Sequence, residues 1–336
     1  MFQPRQVYIE EQALAYPMGA RLLREFRKLK GGPRVEVYRR RLTGLPTEPR
    51  RRFRLSKETL VIKVRDNLEF QACKPSAHYQ LPLASSCPAM CEYCYLHNTQ
   101  ARAAYVRLYA NVEDILERAR EYIRERDSDI TRFEGAATSD PVPVEPYSGS
   151  LARAVEMMGQ EENGRFRFVT KFGGVEFLEG LDHRGHTQIR FSVNAPEIIR
   201  KYEHRTDSLE ERLEGALAAS RWGYPVGFMI APIFLDEGFE ELYGPFISYL
   251  AARIEDIPSP RFELVTHRFT SRARSRILEL FPRSDLPLDE SERVRRRGQF
   301  GYMKMVYPKI NLEEARQFFV ERLQESIPGA EVDYFI

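Results

Sequence analysis

The residues best suited to chemistry are three cysteines that lie within one short stretch. The segment "SSCPAMCEYCYLHN" (85–98) places Cys87, Cys91 and Cys94 in the pattern C-x3-C-x2-C. The chain has one further cysteine, Cys73. Four cysteines in 336 residues do not make a disulfide scaffold, so the triplet indicates metal binding in a reducing compartment.

Two kinds of metal centre are compatible with this triplet. A structural zinc ion takes four ligands, which His97 would complete, although a C-x3-C step is unusual for zinc. An electron-carrying four-iron cluster takes four cysteines, so three cysteines leave one iron open to another ligand. The pattern after the first strand of a βα barrel, with an aromatic residue such as Tyr93 before the last cysteine, is the signature of radical S-adenosylmethionine (SAM) enzymes. The motif therefore favours a [4Fe-4S] cluster and SAM as cofactors.

Strand-like and helical stretches alternate between about residue 78 and residue 270. The candidate strands are 79–84, 130–137, 165–171, 188–195, 225–234 and 261–269. This alternation predicts an α/β fold with a parallel sheet, a partial (β/α)6 TIM-like barrel. Chemistry in such barrels lies at the C-terminal ends of the strands, and the cysteine loop directly follows the first one.

The same pattern divides the chain into three predicted regions. Residues 1–77 form an N-terminal α/β extension that packs on the barrel, 78–284 form the barrel, and 285–336 form a β-hairpin, a helix and a last strand. Asn111, Ser208 and Asn311 are predicted N-caps of helices.

The charge distribution bounds the partners. The net charge is only +2, but arginine is concentrated in 49–57 and 293–304, runs that either bind phosphate or form a solvated face. No run of about 18 apolar residues and no secretory signal occur, so we expect a cytoplasmic protein with no membrane span.

Several segments, in order over nearly the whole chain, resemble the spore photoproduct lyases. These are radical SAM enzymes that reverse a thymine–thymine lesion in ultraviolet-damaged spore DNA. The segments that carry the resemblance are "KPSAHYQLPLASSCPAMCEYCYL", "ITRFEGAATSD", "RFRFVTK", "RFSVN", "APIF", "FELVTHRFT" and "YMKMVY".

The resemblance implies a role for each of the matching residues. Cys87, Cys91 and Cys94 would hold the cluster. Tyr93 would pack near the cluster and the adenine, and the SAM contacts would be Ser139, Lys171, Ser192 and Ala231. Tyr95 matches a tyrosine implicated in returning a hydrogen atom.

The C-terminal region carries the expected substrate contacts. Lys304 matches a hairpin lysine near the lesion, and Phe300 and Tyr302 add aromatic residues beside the arginines of 293–297. The implied partners are DNA that contains a thymine photoproduct and an external one-electron reductant such as flavodoxin or ferredoxin. We expect the protein to act as a monomer.

This chain departs from the family pattern at the hydrogen donor. The family has a cysteine immediately before Thr-Ser-Asp, whereas this chain has Ala137. The family's Arg-Tyr in the hairpin is Gln299-Phe300, and "PVPVEPYSGS" lacks the family's histidine. Several differences together favour natural divergence over an engineered Cys→Ala substitution.

Divergence leaves two functional outcomes open. The protein repairs the lesion with Tyr95 or another donor, or it is a paralogue that acts on a different substrate. Cys73 is either the replacement donor or an ordinary small buried residue. His267 either faces the pocket or is a hydrogen-bonded core histidine. A non-catalytic protein with a structural metal is the third hypothesis.

Overall fold

A computed structural model describes residues 2–40, 42, 46–100, 104–126, 129–135, 137–298 and 301–336. The strands are β1 (Gln6–Glu10), β2 (Arg34–Tyr38), β3 (Thr59–Lys63), β4 (Ala72–Cys73), β5 (Ala77–Gln80), β6 (Ala84–Ser85), β7 (Val106–Tyr109), β8 (Thr131–Glu134), β9 (Gly164–Thr170), β10 (Thr187–Val193), β11 (Val226–Ile233), β12 (Arg261–Thr266), β13 (Val294–Arg297), β14 (Met303–Val306) and β15 (Glu331–Phe335).

Helices follow most of the strands. They are α1 (Pro17–Lys28), α2 (Pro49–Lys57), α3 (Leu96–Thr99), α4 (Val112–Glu125), α5 (Glu145–Ser148), α6 (Ser150–Gln160), α7 (Pro196–Tyr202), α8 (Leu209–Arg221), α9 (Phe239–Arg253), α10 (Ser271–Leu280) and α11 (Lys309–Ser326). None of the helices in the described ranges is long and apolar enough to cross a membrane.

The chain divides into two compact units. The first comprises Met1–Ala89, Gln100–Thr170 and Gly174–Gln188, and the second comprises Met90–Thr99, Lys171–Gly173 and Ile189–Ile336. The three regions predicted from the sequence, with boundaries at 77 and 284, stay a prediction.

The first unit contains a five-stranded sheet and a set of barrel-type strands. The sheet has the order β2-β1-β3-β7-β6, and its second strand β1 pairs in parallel with both β2 and β3. The second set has the order β9-β8-β5-β4, in which β5, β8 and β9 are parallel. Phe133 and Phe166 on neighbouring strands are fully buried, as expected for parallel strands covered on both faces.

The second unit contains four parallel strands and the hairpin. The strand order is β15-β12-β11-β10, and β13 and β14 pair antiparallel. The hairpin is anchored to the end of β12, because Phe269 and Met305 exchange two backbone hydrogen bonds of 3.2 and 2.7 Å. This contact fixes where the strand of Lys304 lies.

The six predicted barrel strands all form, as β5, β8, β9, β10, β11 and β12. The hairpin and the last strand form as predicted, and Ser208 makes a capping box with Glu211. The prediction for Asn311 was wrong, because α11 begins at Lys309 and its N-cap is Pro308, three residues before Asn311. Asn111 precedes α4 as predicted, but its side chain bonds the backbone of Arg65 instead of capping the helix.

Two glycines of the second unit bring α8 against the loop that follows Lys171. A Cβ on Gly215 would lie 2.5 Å from the carbonyl oxygen of Gly173, and a Cβ on Gly173 would lie 1.9 Å from the carbonyl oxygen of Glu211. Only glycine permits this approach, because any side chain would overlap the facing backbone. The approach matters because α8 also carries Arg212.

We predict that Gly215→Ala destabilises the protein by about 1–3 kcal/mol, since overpacking outweighs the gain in helix propensity. The matched control is Gly244→Ala in α9, where the nearest atom to an added Cβ is the end of the Arg322 side chain at 4.0 Å. Gly244→Ala should be neutral or stabilising by up to about 1 kcal/mol. Denaturant unfolding measures both variants, and an equal effect at the two sites would contradict the packing argument.

Candidate functional site

The second half of the cysteine loop is held by the short segment that follows α7. The backbone N–H of Met90 donates to the carbonyl of His204 at 2.8 Å, and that of Glu92 donates to the carbonyl of Tyr202 at 2.9 Å. The carboxylate of Glu92 also lies 2.8 Å from Nε2 of His204. Residues 202–204 therefore act as a backbone template for the loop.

The loop closes on itself around Cys91. The N–H of Cys94 donates to the carbonyl of Cys91 at 3.2 Å, and Nε2 of the buried His97 lies 2.7 Å from the same carbonyl. His97 is thus engaged with the loop backbone. In the part of the chain that the structure describes, no three His, Cys, Asp or Glu side chains are arranged to hold a metal ion.

Glu203 is the hub of a buried polar network behind this loop. Its carboxylate pairs with the ammonium of Lys171 at 2.7 Å and with the guanidinium of Arg212 at 2.7 Å. It also accepts a short hydrogen bond from the hydroxyl of Tyr93. The network joins the cysteine loop, the residue after β9, the segment after α7 and helix α8.

The same network reaches the end of β10. Nζ of Lys171 donates to Oγ of Ser192 at 2.9 Å, and Nη1 of Arg212 donates to the carbonyl of Ser192 at 2.9 Å. Lys171 also lies over the ring of Tyr93, 5.6 Å from its centre. Three residues predicted from the sequence, Tyr93, Lys171 and Ser192, are therefore brought together.

The charges in this network set the ionisation of its members. Burial alone would raise the pKa of Glu203, but Lys171 and Arg212 outweigh it and lower the pKa from 4.5 to about 2. Burial, followed by the nearby Glu203 carboxylate, raises the pKa of Tyr93 well above its ordinary value. The site therefore holds a carboxylate, two cations and a neutral phenol at physiological pH.

The first half of the loop belongs to the first unit. The N–H of Ser86 donates to the carbonyl of Thr138 at 2.8 Å, and Ser86 and Ser139 form a β-bridge. These contacts place Cys87 beside the loop of Ala137. Ser139 is only 7% exposed, and its Oγ has no hydrogen-bond partner among the described residues.

The turn after Cys73 contacts β8, which leads to the Ala137 loop, and the neighbouring strand β9. Oγ of Ser76 donates to the carboxylate of Glu134 at 2.6 Å, and the carbonyl of Ser76 accepts from Arg167 at 3.0 Å. Glu134 ends β8, three residues before Ala137. Cys73 itself is half-buried.

The remaining predicted residues lie elsewhere in the second unit. Ala231 is half-buried at a bulge of β11, next to Pro232, whose carbonyl accepts from the Asn194 amide at 2.7 Å. Tyr95 is 57% exposed. Whether Ala231 and Tyr95 contact a ligand stays a prediction.

The hairpin presents arginines and an aromatic residue to solvent. The residues of β13 are all exposed, and Tyr302 is exposed. Lys304 is half-buried, its stem lies over Gly298, and burial, with Arg268 nearby, lowers its pKa. Gln299 and Phe300 lie outside the described residues.

His267 packs in a cluster of rings. It is buried, its ring centre lies 4.9 Å from that of Phe234, and burial together with Arg293 lowers its pKa to about 3. Arg293 donates to the carbonyl of His267 at 3.2 Å and stacks on Tyr307 at 3.4 Å. A neutral imidazole is therefore expected here.

Sequence reasoning missed Glu203 and Arg212. Both stand in charged stretches, "KYEHRTD" and "EERLEG", that are indistinguishable from solvated helix faces. The only available signal was the helical period, which places Arg212 beside the apolar Leu209 and Leu213 on one side of α8.

Comparison with known proteins identifies one family, the spore photoproduct lyases. The family model for spore photoproduct lyase matches residues 2–336. The chain is 45% identical over 333 residues to the spore photoproduct lyase of Clostridium acetobutylicum, covering 99% of this chain and 98% of that protein. It is 39% identical over 337 residues to the enzyme of Bacillus subtilis, covering 99% and 98%.

Solved structures of spore photoproduct lyases have the same fold as this chain. A spore photoproduct lyase complexed with dinucleoside spore photoproduct matches with a TM-score of 0.96 at 38% identity, covering 100% of this chain and 99% of that one. A variant of such an enzyme with a cysteine replaced by alanine and a serine by cysteine, with AdoMet and the same lesion bound, matches with a TM-score of 0.96 at 39% identity and the same coverage. The predicted family resemblance and the predicted fold class, a partial barrel of the radical SAM type, are confirmed.

We predict that Glu203→Gln destabilises the protein by about 3–5 kcal/mol near neutral pH, because Lys171 and Arg212 lose their buried counter-charge. The carboxyl stabilises the fold fully above its ordinary pKa of 4.5, and this contribution is lost as the pH falls through about 2. Denaturant unfolding as a function of pH should therefore show a shallower acid-side loss in Glu203→Gln than in the wild type.

The control is Glu145→Gln, because both carboxylates are 4% exposed. Burial raises the pKa of Glu145, so its linkage with pH has the opposite sign and its removal should leave the acid-side loss in place. Equal acid dependence in the wild type and in Glu203→Gln would contradict the assignment of Glu203 as the counter-charge.

Proposed function

Because the chain belongs to the spore photoproduct lyase family, we propose that it is a radical SAM lyase that repairs the spore photoproduct in DNA. The observation that carries the proposal is the buried network of Tyr93, Lys171, Ser192 and Glu203, which lies directly behind a C-x3-C-x2-C loop. Full-length similarity to named lyases supports the substrate class, and it disfavours a paralogue with another substrate.

Cys87, Cys91 and Cys94 are proposed to hold a [4Fe-4S] cluster. Three soft thiolates on one loop suit iron and sulfide, and the loop backbone is fixed by its own hydrogen bonds and by residues 202–204. The chemistry that this group supplies when bound is the one-electron reduction of SAM, which gives a 5′-deoxyadenosyl radical. The side chains of the chain bind and orient the SAM.

The SAM contacts are proposed from the network geometry. Lys171 offers an ammonium for a carboxylate, held in place by Glu203 and Ser192. Ser192 and the buried Ser139 offer hydroxyls for ribose or carboxylate oxygens, and a ligand would satisfy the partnerless Oγ of Ser139. Tyr93 would pack beside the cluster, and the backbone around Ala231 would contact the adenosyl group.

Cys73 is the proposed hydrogen donor in place of the cysteine that Ala137 replaces. The turn after Cys73 is tied by Ser76 to Glu134, at the end of the strand that leads into the Ala137 loop, and this supports the proposal. The solved double variant places an alanine and a new cysteine at the same separation along its chain as Ala137 and Cys73 here.

The proposed hydrogen return transfers one hydrogen atom from Cys73 to the substrate radical. The weak S–H bond of Cys73 breaks, and its hydrogen atom bonds to the carbon of the thymine radical that remains after the methylene bridge is cleaved. Tyr95, the proposed catalytic tyrosine, would then give its phenolic hydrogen atom to the thiyl radical, and the tyrosyl radical that remains would take up one electron from the external one-electron reductant and one proton. A thiol suits the first step because carbon-centred radicals abstract readily from S–H.

The hairpin is the proposed DNA contact. The exposed β13 arginines offer guanidinium groups to phosphates, and Tyr302 and Lys304 are proposed to contact the lesion. Phe300, which lies outside the described residues, is a proposed lesion contact from its place in the sequence alone. The other proposed partner is a one-electron reductant such as flavodoxin or ferredoxin. A cytoplasmic location and a monomeric state complete the proposal.

One experiment tests both the function and the donor. Protein reconstituted with iron and sulfide is incubated anaerobically with dithionite, SAM and dinucleoside spore photoproduct. The wild type should form 5′-deoxyadenosine and release the repaired thymine dinucleoside. SAM cleavage without repair would exclude the lesion as substrate, and loaded protein that cleaves no SAM would exclude the radical SAM chemistry.

In the same assay, Cys73→Ala should still cleave SAM, but its yield of repaired product should fall about tenfold or more, with adducts of the trapped substrate radical in its place. The double variant Cys73→Ala, Ala137→Cys is the matched control and should recover the yield. An unchanged yield in Cys73→Ala would exclude Cys73 and leave Tyr95 as the direct donor.

A further inference from the structure

Lys57 is a buried lysine at the end of α2. The chain has nine lysines, and Lys57 is only 1% exposed. Lysine is almost never fully buried unless it is paired. The local sequence does not indicate this burial, because Lys57 ends an arginine-rich run expected to bind phosphate or face solvent.

The ammonium of Lys57 points at the first cysteine of the loop. Nζ donates to the carbonyl of Cys87 at 2.7 Å and lies 3.5 Å from Oγ of Ser86. It also lies 5.4 Å from the centre of the Phe53 ring. All of these residues belong to the first unit.

These partners are all neutral. Among the residues that the structure describes, no carboxylate forms an ion pair with Lys57, whereas the half-buried Lys171 and the buried Arg212 share Glu203. A buried cation without an anion is costly, so the site around Cys87 is built for an anionic occupant. Three thiolates more than offset the charge of an oxidised iron–sulfur core, and reduction makes the group more negative still.

The backbone at this point is also constrained. Ser86 has a φ of 63°, which is the left-handed region that a non-glycine residue rarely adopts. Its Oγ donates to the carbonyl of Ala104 at 2.9 Å and its N–H to that of Thr138. Lys57 adds a third hydrogen bond to this segment, to the carbonyl of Cys87, and this bond restricts the orientation of Cys87.

We propose that Lys57 is a positioning residue for the cluster. Its hydrogen bond orients Cys87, and its buried positive charge makes the cluster easier to reduce. The inference rests on the proposed role of Cys87 as a cluster ligand. It assigns to α2 a redox function, since nearby charge is one of the factors that set the potential of an iron–sulfur cluster.

The test is a redox titration of reconstituted protein without SAM, followed by electron paramagnetic resonance of the reduced cluster. Lys57→Met removes the charge at similar volume, and Lys57→Arg keeps it. Lys57→Met should lower the equilibrium constant for reduction at least about tenfold, a shift of about 59 mV to lower potential for one electron. Lys57→Arg and the exposed control Lys30→Met should stay close to the wild type.

Three results would overturn the proposal: an unshifted potential in Lys57→Met, an equal shift in Lys57→Met and Lys57→Arg, or an equal shift in Lys30→Met. If Lys57→Met folds but binds no iron, Lys57→Gln, which keeps a donor for the Cys87 carbonyl, carries the same test with the same outcomes. The iron content of the wild type distinguishes failure of the proposed function from failure of the role of Lys57. Wild-type protein that binds no cluster would refute the proposed function.

Discussion

The carboxylate of Glu203 is the interaction on which the candidate site depends. It is buried between the cations of Lys171 and Arg212 and accepts the hydroxyl of Tyr93. Removal from water would cost several kcal/mol for each isolated charge, so this arrangement is stable only while all its members are present. Four separate chain segments are thereby fixed relative to one another within the second unit.

The same logic operates at the beginning of the cysteine stretch. Lys57 is a buried cation that donates to the carbonyl of Cys87, whereas Glu203 is a buried anion that accepts from the hydroxyl of Tyr93. Within the first unit a buried cation therefore contacts the beginning of the cysteine stretch, and within the second unit a buried anion contacts its end. Close packing supports this arrangement, because Gly173 and Gly215 allow α8 to bring Arg212 to the end of β10.

The replacement of the donor cysteine fits this framework without disturbing it. Ala137 lies on the loop after β8, where Thr138 and Ser139 bond or pair with Ser86, and none of these contacts uses a side chain at position 137. Cys73 ends β4, and the turn that follows it is tied to Glu134 by Ser76. The backbone contacts of the cysteine loop therefore do not depend on whether the proposed donor thiol stands at position 137 or at position 73.

Much of the fold and part of the site were predictable from the sequence. The six barrel strands, the hairpin and the capping box at Ser208 follow from apolar periodicity and local turn chemistry, which act over a few residues. Tyr93, Lys171 and Ser192 were found through the family resemblance, and the structure brings them together. Glu203, Arg212 and Lys57 were not predictable, because their burial depends on tertiary packing and their local sequence is that of a solvated surface.

The central claim is that Glu203 holds the SAM-binding residues in position. The direct test is the affinity of iron-reconstituted protein for SAM, measured anaerobically by equilibrium binding in Glu203→Gln and in the burial-matched Glu145→Gln. The account predicts that Glu203→Gln binds SAM at least about tenfold more weakly, a loss of about 1.4 kcal/mol, while Glu145→Gln binds as the wild type does. Wild-type affinity in Glu203→Gln, or an equal loss in both variants, would contradict it.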